Sequence, residues 1–220
     1  MKVFLCGGGS GDQTVEAYQK LNEVIDCSKP CLYIPLAMEE EKYSDCYEWI
    51  TDELKSVDIP YIEMVKSADE LAVKNLNNFG LIFIGGGNTF KLLSELKQSG
   101  AFEKIKKYLN SEGVVFGGSA GAIIFGKDLD ACRLDDVNKV GLIETSGFDI
   151  LKGASILCHY TNQTPQKDAG SKQYLLDLSK HRKAIALPEE VTLFVTGGDI
   201  EVIGDRPYYI FENGAVDVIG

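Results

Sequence analysis

A serine in a glycine-rich segment is the side chain in this sequence best suited to act as a nucleophile. Ser119 lies within the segment 117–121 (GGSAG), between an apolar run at 113–116 that predicts a buried strand and another at 120–125 that predicts a short helix. A nucleophile elbow needs small residues around its serine, because a flanking Cβ would collide with the strand or the helix. On these residues alone, a glycine-rich turn whose serine only caps the helix remains an alternative.

A serine hydroxyl is a poor nucleophile unless a base lies within hydrogen-bond reach, and the sequence offers two histidines. His159 follows an apolar run at 154–158 that predicts a strand, and it opens a polar loop. His181 lies in a charged segment after a predicted helix, where we expect it to be solvated. Cys158 could supply a thiol nucleophile, but a residue that closes an apolar strand is more often part of the core. We predict that His159 is the base.

The third member of such a site is a carboxylate that orients the imidazole and stabilises its charged form. Asp135 and Asp136 lie in a charged, loop-like segment at 127–139, where a solvated acid is the simpler interpretation. Glu189 and Glu190 follow a predicted strand at 185–187, and Pro188 should hold Glu189 rigidly. The residues favour Glu189 without excluding the loop aspartates.

Two further glycine clusters follow predicted strands, at 7–11 (GGGSG) and at 85–89 (GGGNT). Neither is a dinucleotide fingerprint, because Asp12 and Phe90 occupy the third glycine position, and neither continues as a Walker A loop. We therefore predict no nucleotide cofactor. The segment 7–11 is interpreted as a simple turn between a strand and a helix. The segment 85–89 leaves backbone N–H groups bare at a strand's carboxyl end, where one of them could face the N–H after the nucleophile in an oxyanion hole.

The composition excludes several classes of protein. A net charge of −11 and a pI near 4.7 leave no basic patch for phosphates, so we expect no nucleic-acid partner. No apolar run approaches the ~18 residues of a membrane helix, and the N-terminal run is too short for a secretory signal. We expect a cytoplasmic protein without a membrane partner.

Six cysteines are scattered without a paired framework, which indicates reduced and mostly buried thiols. Cys27 and Cys31 have no second pair, and both histidines lie far along the chain, so no metal site is predicted.

Short β-rich runs alternate with helical stretches along the chain, which predicts one α/β domain over residues 1–220. The sheet should be doubly wound and mostly parallel, with helices on both faces and an antiparallel meander at the C-terminus. The predicted helices are 12–25, 39–56, 89–96, 102–109, 120–125 and 172–178. Besides the strands already named, we predict strands at 2–6, 31–35, 61–65, 81–84, 192–195, 200–203, 208–211 and 215–219.

A set of motifs in a fixed order identifies a family that this chain resembles. The motifs are the segments 84–90 (IGGGNTF), 118–122 (GSAGA), 147–149 (GFD), 159–162 (HYTN) and 187–189 (LPE). Together they resemble the dipeptidase E (aspartyl dipeptidase) family of serine peptidases, which are relatives of the cyanophycinases. The resemblance implies a fold akin to class I glutamine amidotransferases and peptide hydrolysis without a cofactor.

The resemblance also implies roles for individual residues. Ser119 would be the nucleophile, His159 the base and Glu189 the third member of the triad, although some descriptions of the family favour an aspartate that would fall near Asp135. The N–H groups of Gly87 and Ala120 would form the oxyanion hole. Asn88, in the same glycine loop, is predicted to bind substrate.

One departure from the family concerns specificity. Aspartyl dipeptidases bind the substrate's side-chain carboxylate with an arginine after the histidine loop, but the segment 167–174 (KDAGSKQY) contains none. A lysine lacks the bidentate fork of arginine. The sequence therefore predicts hydrolysis of a small peptide without aspartyl specificity. An amidase or esterase acting on a non-peptide substrate and a non-catalytic binding protein are the alternatives, and the oligomeric state is left open, a homodimer included.

Overall fold

The computed structural model describes all residues from Met1 to Gly220. The main sheet has seven strands, which are β1 (Lys2–Cys6), β2 (Cys31–Ile34), β3 (Ile62–Met64), β4 (Leu81–Ile84), β5 (Val114–Gly118), β8 (Thr192–Thr196) and β9 (Asp199–Ile203). Their order across the sheet is β3-β2-β4-β5-β1-β8-β9. The first five are parallel to one another, and β8 and β9 are antiparallel additions at the β1 edge.

A second, smaller sheet lies beside the first. It contains β6 (Ala154–Leu157), β7 (Lys183–Ala186), β10 (Tyr208–Glu212) and β11 (Ala215–Ile219) in the order β11-β10-β7-β6. Strands β6 and β7 are parallel, whereas β10 pairs antiparallel with β7 and β11. The predicted fold class, a mostly parallel α/β fold with an antiparallel C-terminal part, is confirmed. The C-terminal strands form two hairpins, one in each sheet.

Seven helices connect and cover these strands. They are α1 (Val15–Val24), α2 (Tyr43–Glu53), α3 (Ala68–Val73), α4 (Thr89–Ser99), α5 (Ala101–Asn110), α6 (Ala120–Ile123) and α7 (Pro165–Leu178). The sequence did not predict α3, and α7 begins at Pro165 rather than at 172. The start of α7 has ordinary signals, because Thr164 accepts a hydrogen bond from the Lys167 N–H and proline suits the first turn.

The hydrophobic core is divided into two clusters of buried side chains. In the smaller cluster, neighbouring strands of the main sheet each contribute one aromatic ring. Phe83 stacks on Phe116 with ring centroids 4.8 Å apart, and Phe4 stacks on Phe194 at 4.3 Å. Phe4 and Phe116 join the two pairs at 5.7 Å. This aromatic row runs across β4, β5, β1 and β8, and its rings are buried in the core.

Two other properties of the chain bear on the sequence-based expectations. All six cysteines are free thiols, and four of them are buried (Cys6, Cys31, Cys132 and Cys158). No helix in the structure combines the length and the apolar character needed to span a bilayer.

Candidate active site

Ser119 occupies a strained turn between β5 and α6. Its backbone has φ 52° and ψ −114°, a conformation that costs free energy and must be held by the surrounding structure. Gly117 and Gly121 leave no room for a side chain. A Cβ on Gly117 would lie 2.3 Å from the carbonyl oxygen of Gly121, and a Cβ on Gly121 would lie 2.1 Å from the carbonyl oxygen of Ile84. The segment 117–121 therefore has the geometry of a nucleophile elbow rather than of a simple helix cap.

Three predicted side chains form a continuous hydrogen-bonded chain. The Oγ of Ser119 lies 2.8 Å from Nε2 of His159, and Nδ1 of His159 lies 2.8 Å from Oε1 of Glu189. Because a carboxylate can only accept, we assign the ring proton to Nδ1, which leaves Nε2 free to accept the hydroxyl proton of Ser119. The imidazole and the carboxylate are 36% and 27% exposed, so both remain accessible to a ligand.

The three side chains come from two different sheets. Ser119 follows β5 of the main sheet, whereas His159 follows β6 and Glu189 comes shortly after β7 of the second sheet. His159 has φ 57°, in the left-handed region, and its N–H donates to the carbonyl of Gly7 at 2.8 Å. The carboxyl ends of strands from both sheets therefore meet at this point, as expected of a site in an open α/β fold.

The glycine loop after β1, predicted to be a simple turn, contacts the residues of the site. The N–H of Gly9 donates to the carbonyl of Glu189 at 3.1 Å, and the N–H of Ser119 donates to the carbonyl of Cys6 at 3.2 Å. A Cβ on Gly8, which has φ 112°, would lie 2.2 Å from the imidazole Cε1 of His159. The loop thus packs against the imidazole and connects the two sheets, which its sequence did not reveal.

Polar neighbours that the sequence analysis missed hold Glu189 in place. Gln13 donates to the second carboxylate oxygen of Glu189 at 3.3 Å, and the backbone N–H of Glu189 donates to the side-chain oxygen of Asn162 at 2.9 Å. The Asn162 amide in turn donates to Glu190 at 3.1 Å, and Arg206 donates to both carboxylate oxygens of Glu190 at 3.0 Å.

This network changes the acidity of Glu190. Burial alone would raise the pKa of its carboxyl, but hydrogen bonds from its own backbone N–H and from Asn162 and Arg206 outweigh that effect. The pKa therefore lies below its ordinary value of 4.5, and the group is a carboxylate at neutral pH. The segment that carries Glu189 is held by an ion pair as well as by the main chain.

The other acids considered from the sequence have different partners. Asp135 is exposed, and its side chain forms no hydrogen bond with His159. Asp136 accepts a hydrogen bond from the Thr89 N–H at 2.8 Å, at the start of α4. A carboxylate at a helix N-terminus is favoured by the helix dipole, which gives Asp136 a structural role.

The second histidine and the neighbouring cysteine lie apart from the reactive groups. His181 is exposed in the segment after α7, as predicted. Cys158 is buried, and its thiol faces the carbonyls of Cys6 and Ser119 at 3.7 and 3.6 Å. Burial raises the pKa of the Cys158 thiol well above its usual value, so it stays protonated and packs as a core residue.

The glycine loop at residues 85–89, after β4, presents unpaired N–H groups beside Ser119. The N–H of Gly85 donates to Ile34 and that of Asn88 to Ala37, at 3.0 and 2.8 Å, but those of Gly86 and Gly87 donate to no protein atom. Gly87 has φ 134°, and a Cβ there would lie 2.5 Å from the carbonyl of Ala37.

Across the site, Ala120 is the first residue of α6, so its N–H has no acceptor within the helix. Both N–H groups predicted for the oxyanion hole are thus available to a ligand.

The side chain of Asn88 is engaged within the protein. Its oxygen accepts from the N–H of Lys91 at 2.9 Å and so caps α4, while its amide donates to the carbonyl of Val137 at 2.9 Å. These bonds fix the glycine loop against the loop that follows the elbow. Direct contact between Asn88 and a substrate stays a prediction, and it would require one of these bonds to be exchanged.

A cavity of about 260 Å³ opens beside Ser119 and His159. Backbone of both glycine loops forms part of its surface, and four aromatic side chains form most of the rest (Tyr18, Trp49, Phe83 and Phe116). Nowhere in the structure do three or more His, Cys, Asp or Glu side chains form a group that could hold a metal ion.

Comparison with known proteins identifies relatives across most of the chain. The profile of peptidase family S51 matches residues 3–203. Peptidase E of Shigella flexneri serotype 5b (strain 8401) is 25% identical over 199 residues, which cover 87% of this chain and 84% of that protein. Peptidase E of Escherichia coli O6:K15:H31 (strain 536 / UPEC) matches with the same identity and coverage.

Two solved structures share the fold. A candidate peptidase E from Listeria monocytogenes EGD-e superimposes with a TM-score of 0.73 at 23% identity, covering 93% of this chain and 98% of that chain. A peptidase from an acI-B1 Actinobacterium superimposes with a TM-score of 0.74 at 20% identity, covering 99% and 93%.

Proposed function

The chain belongs to peptidase family S51 and is a serine-type peptidase, and we propose that Ser119, His159 and Glu189 are the catalytic triad with which it hydrolyses small peptides. The observation that carries this proposal is the unbroken chain of two 2.8 Å contacts from the strained serine through the imidazole to the carboxylate. The resemblance to the dipeptidase E family inferred from the sequence motifs is confirmed by the S51 match and the peptidase E relatives.

In the proposed first step, the Oγ of Ser119 attacks the scissile carbonyl carbon while Nε2 of His159 takes the hydroxyl proton. Glu189 accepts a hydrogen bond from Nδ1, which keeps the ring in the productive tautomer and stabilises the imidazolium that forms. The imidazolium then gives its proton to the leaving amine, and an acyl-enzyme remains. Water, deprotonated by His159, hydrolyses that ester and regenerates the serine.

The negative charge on the tetrahedral intermediate requires hydrogen-bond donors fixed in advance. We assign this role to the N–H groups of Gly87, which lines the cavity beside Ser119, and of Ala120, which follows Ser119; neither N–H donates to a protein acceptor. The loop of Gly87 is held by main-chain bonds to the segment after β2, so it needs little reorganisation during the reaction. Removing one such donor in other enzymes costs about 10² to 10³ in kcat.

A fluorophosphonate probe tests the nucleophile directly. The wild-type protein should be labelled once, at Ser119, and Ser119→Ala should be neither labelled nor active on dipeptides. Ser67→Ala is a matched control, because Ser67 also precedes a helix and bonds its first turn but has no neighbouring base. A wild-type protein that resists the probe, or an active Ser119→Ala variant, would contradict the proposal.

Alanine variants of the two histidines test the assignment of the base. His159→Ala should lose both labelling and hydrolysis, because no other side chain accepts the proton of Ser119. His181→Ala removes an exposed imidazole and should keep wild-type kinetics. Equal losses in the two variants would refute the assignment of His159.

A further inference from the structure

The aromatic cavity beside Ser119 reaches from the loop after β1 to the glycine loop after β4. In the main sheet, β5 lies between β4 and β1, and Ser119 follows β5. His159 packs over the loop after β1, so a leaving amine that takes its proton must lie on that side. The acyl group then extends toward the β4 part of the cavity, which contains Phe83 and leads into the glycine loop.

The cavity wall is built from packed rings. Phe83 stacks on Phe116 at 4.8 Å, Tyr18 lies against Phe116 at 5.5 Å, and Trp49 meets Phe83 edge-on at 6.1 Å. Phe83 and Phe116 belong to the aromatic row of the sheet, and their rings are almost fully buried. Trp49 is 38% exposed and forms the outer wall. Such a surface favours an apolar side chain that displaces water from it.

The same cavity offers no lysine or arginine to neutralise a carboxylate, and its one histidine is the proposed base. None of its lining residues is Asp, Glu, Lys or Arg, and the hydroxyl of Tyr18 already donates to Glu53 at 3.2 Å. Lys42 lines an adjoining cavity that shares Trp49, but it is paired with Asp45 at 3.3 Å. A carboxylate placed beside the rings would be desolvated without a partner.

All three arginines of the chain are bound to its own carboxylates. Arg133 pairs with Asp130, Arg182 with Asp128 and Asp130, and Arg206 with Glu190. None of the arginines lines the cavity. The arginine that is missing from the segment 167–174 is therefore not replaced by another at this position.

We propose that this cavity binds the side chain of the residue whose carbonyl Ser119 attacks, and that the residue accepted there is uncharged and apolar or aromatic. The inference rests on the proposed function and adds the substrate class to it. A single methylene in an apolar pocket changes kcat/KM by about 10- to 200-fold, so the preference should be large enough to measure.

Hydrolysis of four dipeptides tests the preference on the wild-type protein. We expect kcat/KM for Phe-Leu and Leu-Leu to exceed that for Ala-Leu by about tenfold or more, and that for Asp-Leu by about a hundredfold. An Asp-Leu preference, or rates that do not depend on the first side chain, would overturn the inference. Labelling by the fluorophosphonate would then still support the proposed function, whereas an unlabelled, inactive protein would overturn both.

Trp49 is the only tryptophan in the chain, which makes its fluorescence a direct reporter of this cavity. In the Ser119→Ala variant, Phe-Leu and Leu-Leu should change the Trp49 emission saturably, with a Kd at least about tenfold below that of Asp-Leu. Calorimetry on the same samples detects binding elsewhere. Tight binding of Phe-Leu with no change in Trp49 emission would place the side chain outside the cavity and overturn the inference.

Substitutions of Trp49 complete the test. Trp49→Ala should lower kcat/KM for Phe-Leu by about tenfold and leave Ala-Leu within about threefold. Tyr47→Ala is the matched control, because Tyr47 is an equally exposed aromatic on the same helix (39%) that does not line the cavity. Trp49→Arg adds a cation at the wall and should raise the ratio of Asp-Leu to Phe-Leu hydrolysis. Identical losses on both substrates in Trp49→Ala would count against the inference.

Discussion

Replacing Glu189 by glutamine removes the negative charge beside His159 and keeps the shape of the side chain. In the wild type, Oε1 lies 2.8 Å from Nδ1. At that separation, an imidazolium and a carboxylate attract by about 6 kcal/mol at an effective dielectric constant of about 20, and by about 3 kcal/mol at about 40. The higher dielectric is included because the two side chains are 36% and 27% exposed. Because each tenfold in rate costs 1.36 kcal/mol, kcat should fall by about 10² to 10⁴.

The assay is steady-state hydrolysis of a dipeptide. KM should change little, because Glu189 acts only through His159. The imidazole of His159 lies between Glu189 and Ser119. Asp135→Asn provides the control, since Asp135 is exposed and should keep activity within about twofold of the wild type. If Glu189→Gln kept more than a tenth of the wild-type kcat while Asp135→Asn lost a hundredfold, the loop aspartate would be the orienting acid and our reasoning would be wrong.

Three further predictions concern the groups around the triad. Gly8→Ala places a Cβ 2.2 Å from the imidazole of His159, so kcat should fall by at least about tenfold while circular dichroism shows a folded protein; unchanged kinetics would contradict the packing. Asn162→Ala leaves the N–H of Glu189 without its acceptor and should lower the free energy of unfolding by about 1 to 3 kcal/mol in urea titrations. The lowered pKa of Glu190 stabilises the fold above about pH 4.5, and this contribution is lost as the pH falls through the folded-state pKa; Glu190→Gln should therefore flatten the acid side of the stability curve, and an unchanged curve would refute this.

The residues of the proposed triad could be predicted from sequence because each follows an apolar strand. Ser119, His159 and Glu189 come after runs that predict β5, β6 and β7, and functional residues of α/β folds lie at the carboxyl ends of strands. The sequence did not show that β5 belongs to one sheet and that β6 and β7 belong to another. The glycines around Ser119 also carried information, since a Cβ on Gly117 or Gly121 would collide with the main chain. Local patterns and the family resemblance led to these residues, while the choice between Glu189 and the loop aspartates stayed open at the level of sequence.

The second sheet was not predictable from the same patterns. The hairpins β8–β9 and β10–β11 follow one another in sequence and look alike locally, yet the first pairs with β1 and the second with β7. The choice depends on packing between distant parts of the chain. Helix α3 was missed because six residues hold too few turns for a periodic pattern, and the start of α7 was obscured by Gly170.

The residues that support the triad were missed for a related reason. Gln13 and Glu189 are 176 positions apart, and Arg206 reaches Glu190 from the loop between β9 and β10. Neither residue type is unusual in its local segment. Asn162 was noticed as part of a motif, but its bonds to the backbone of Glu189 and to the side chain of Glu190 exist only once the two loops meet.

The proposed triad is divided between two sheets, so the proposed catalysis depends on a distance that neither sheet determines alone. The main chain of residues 6–9 sets that distance through its bonds to Ser119, His159 and Glu189. A relative slide of about 1 Å would take the 2.8 Å contact between Ser119 and His159 out of hydrogen-bond range without breaking any strand pairing. The protein can therefore keep its fold and still lose its activity.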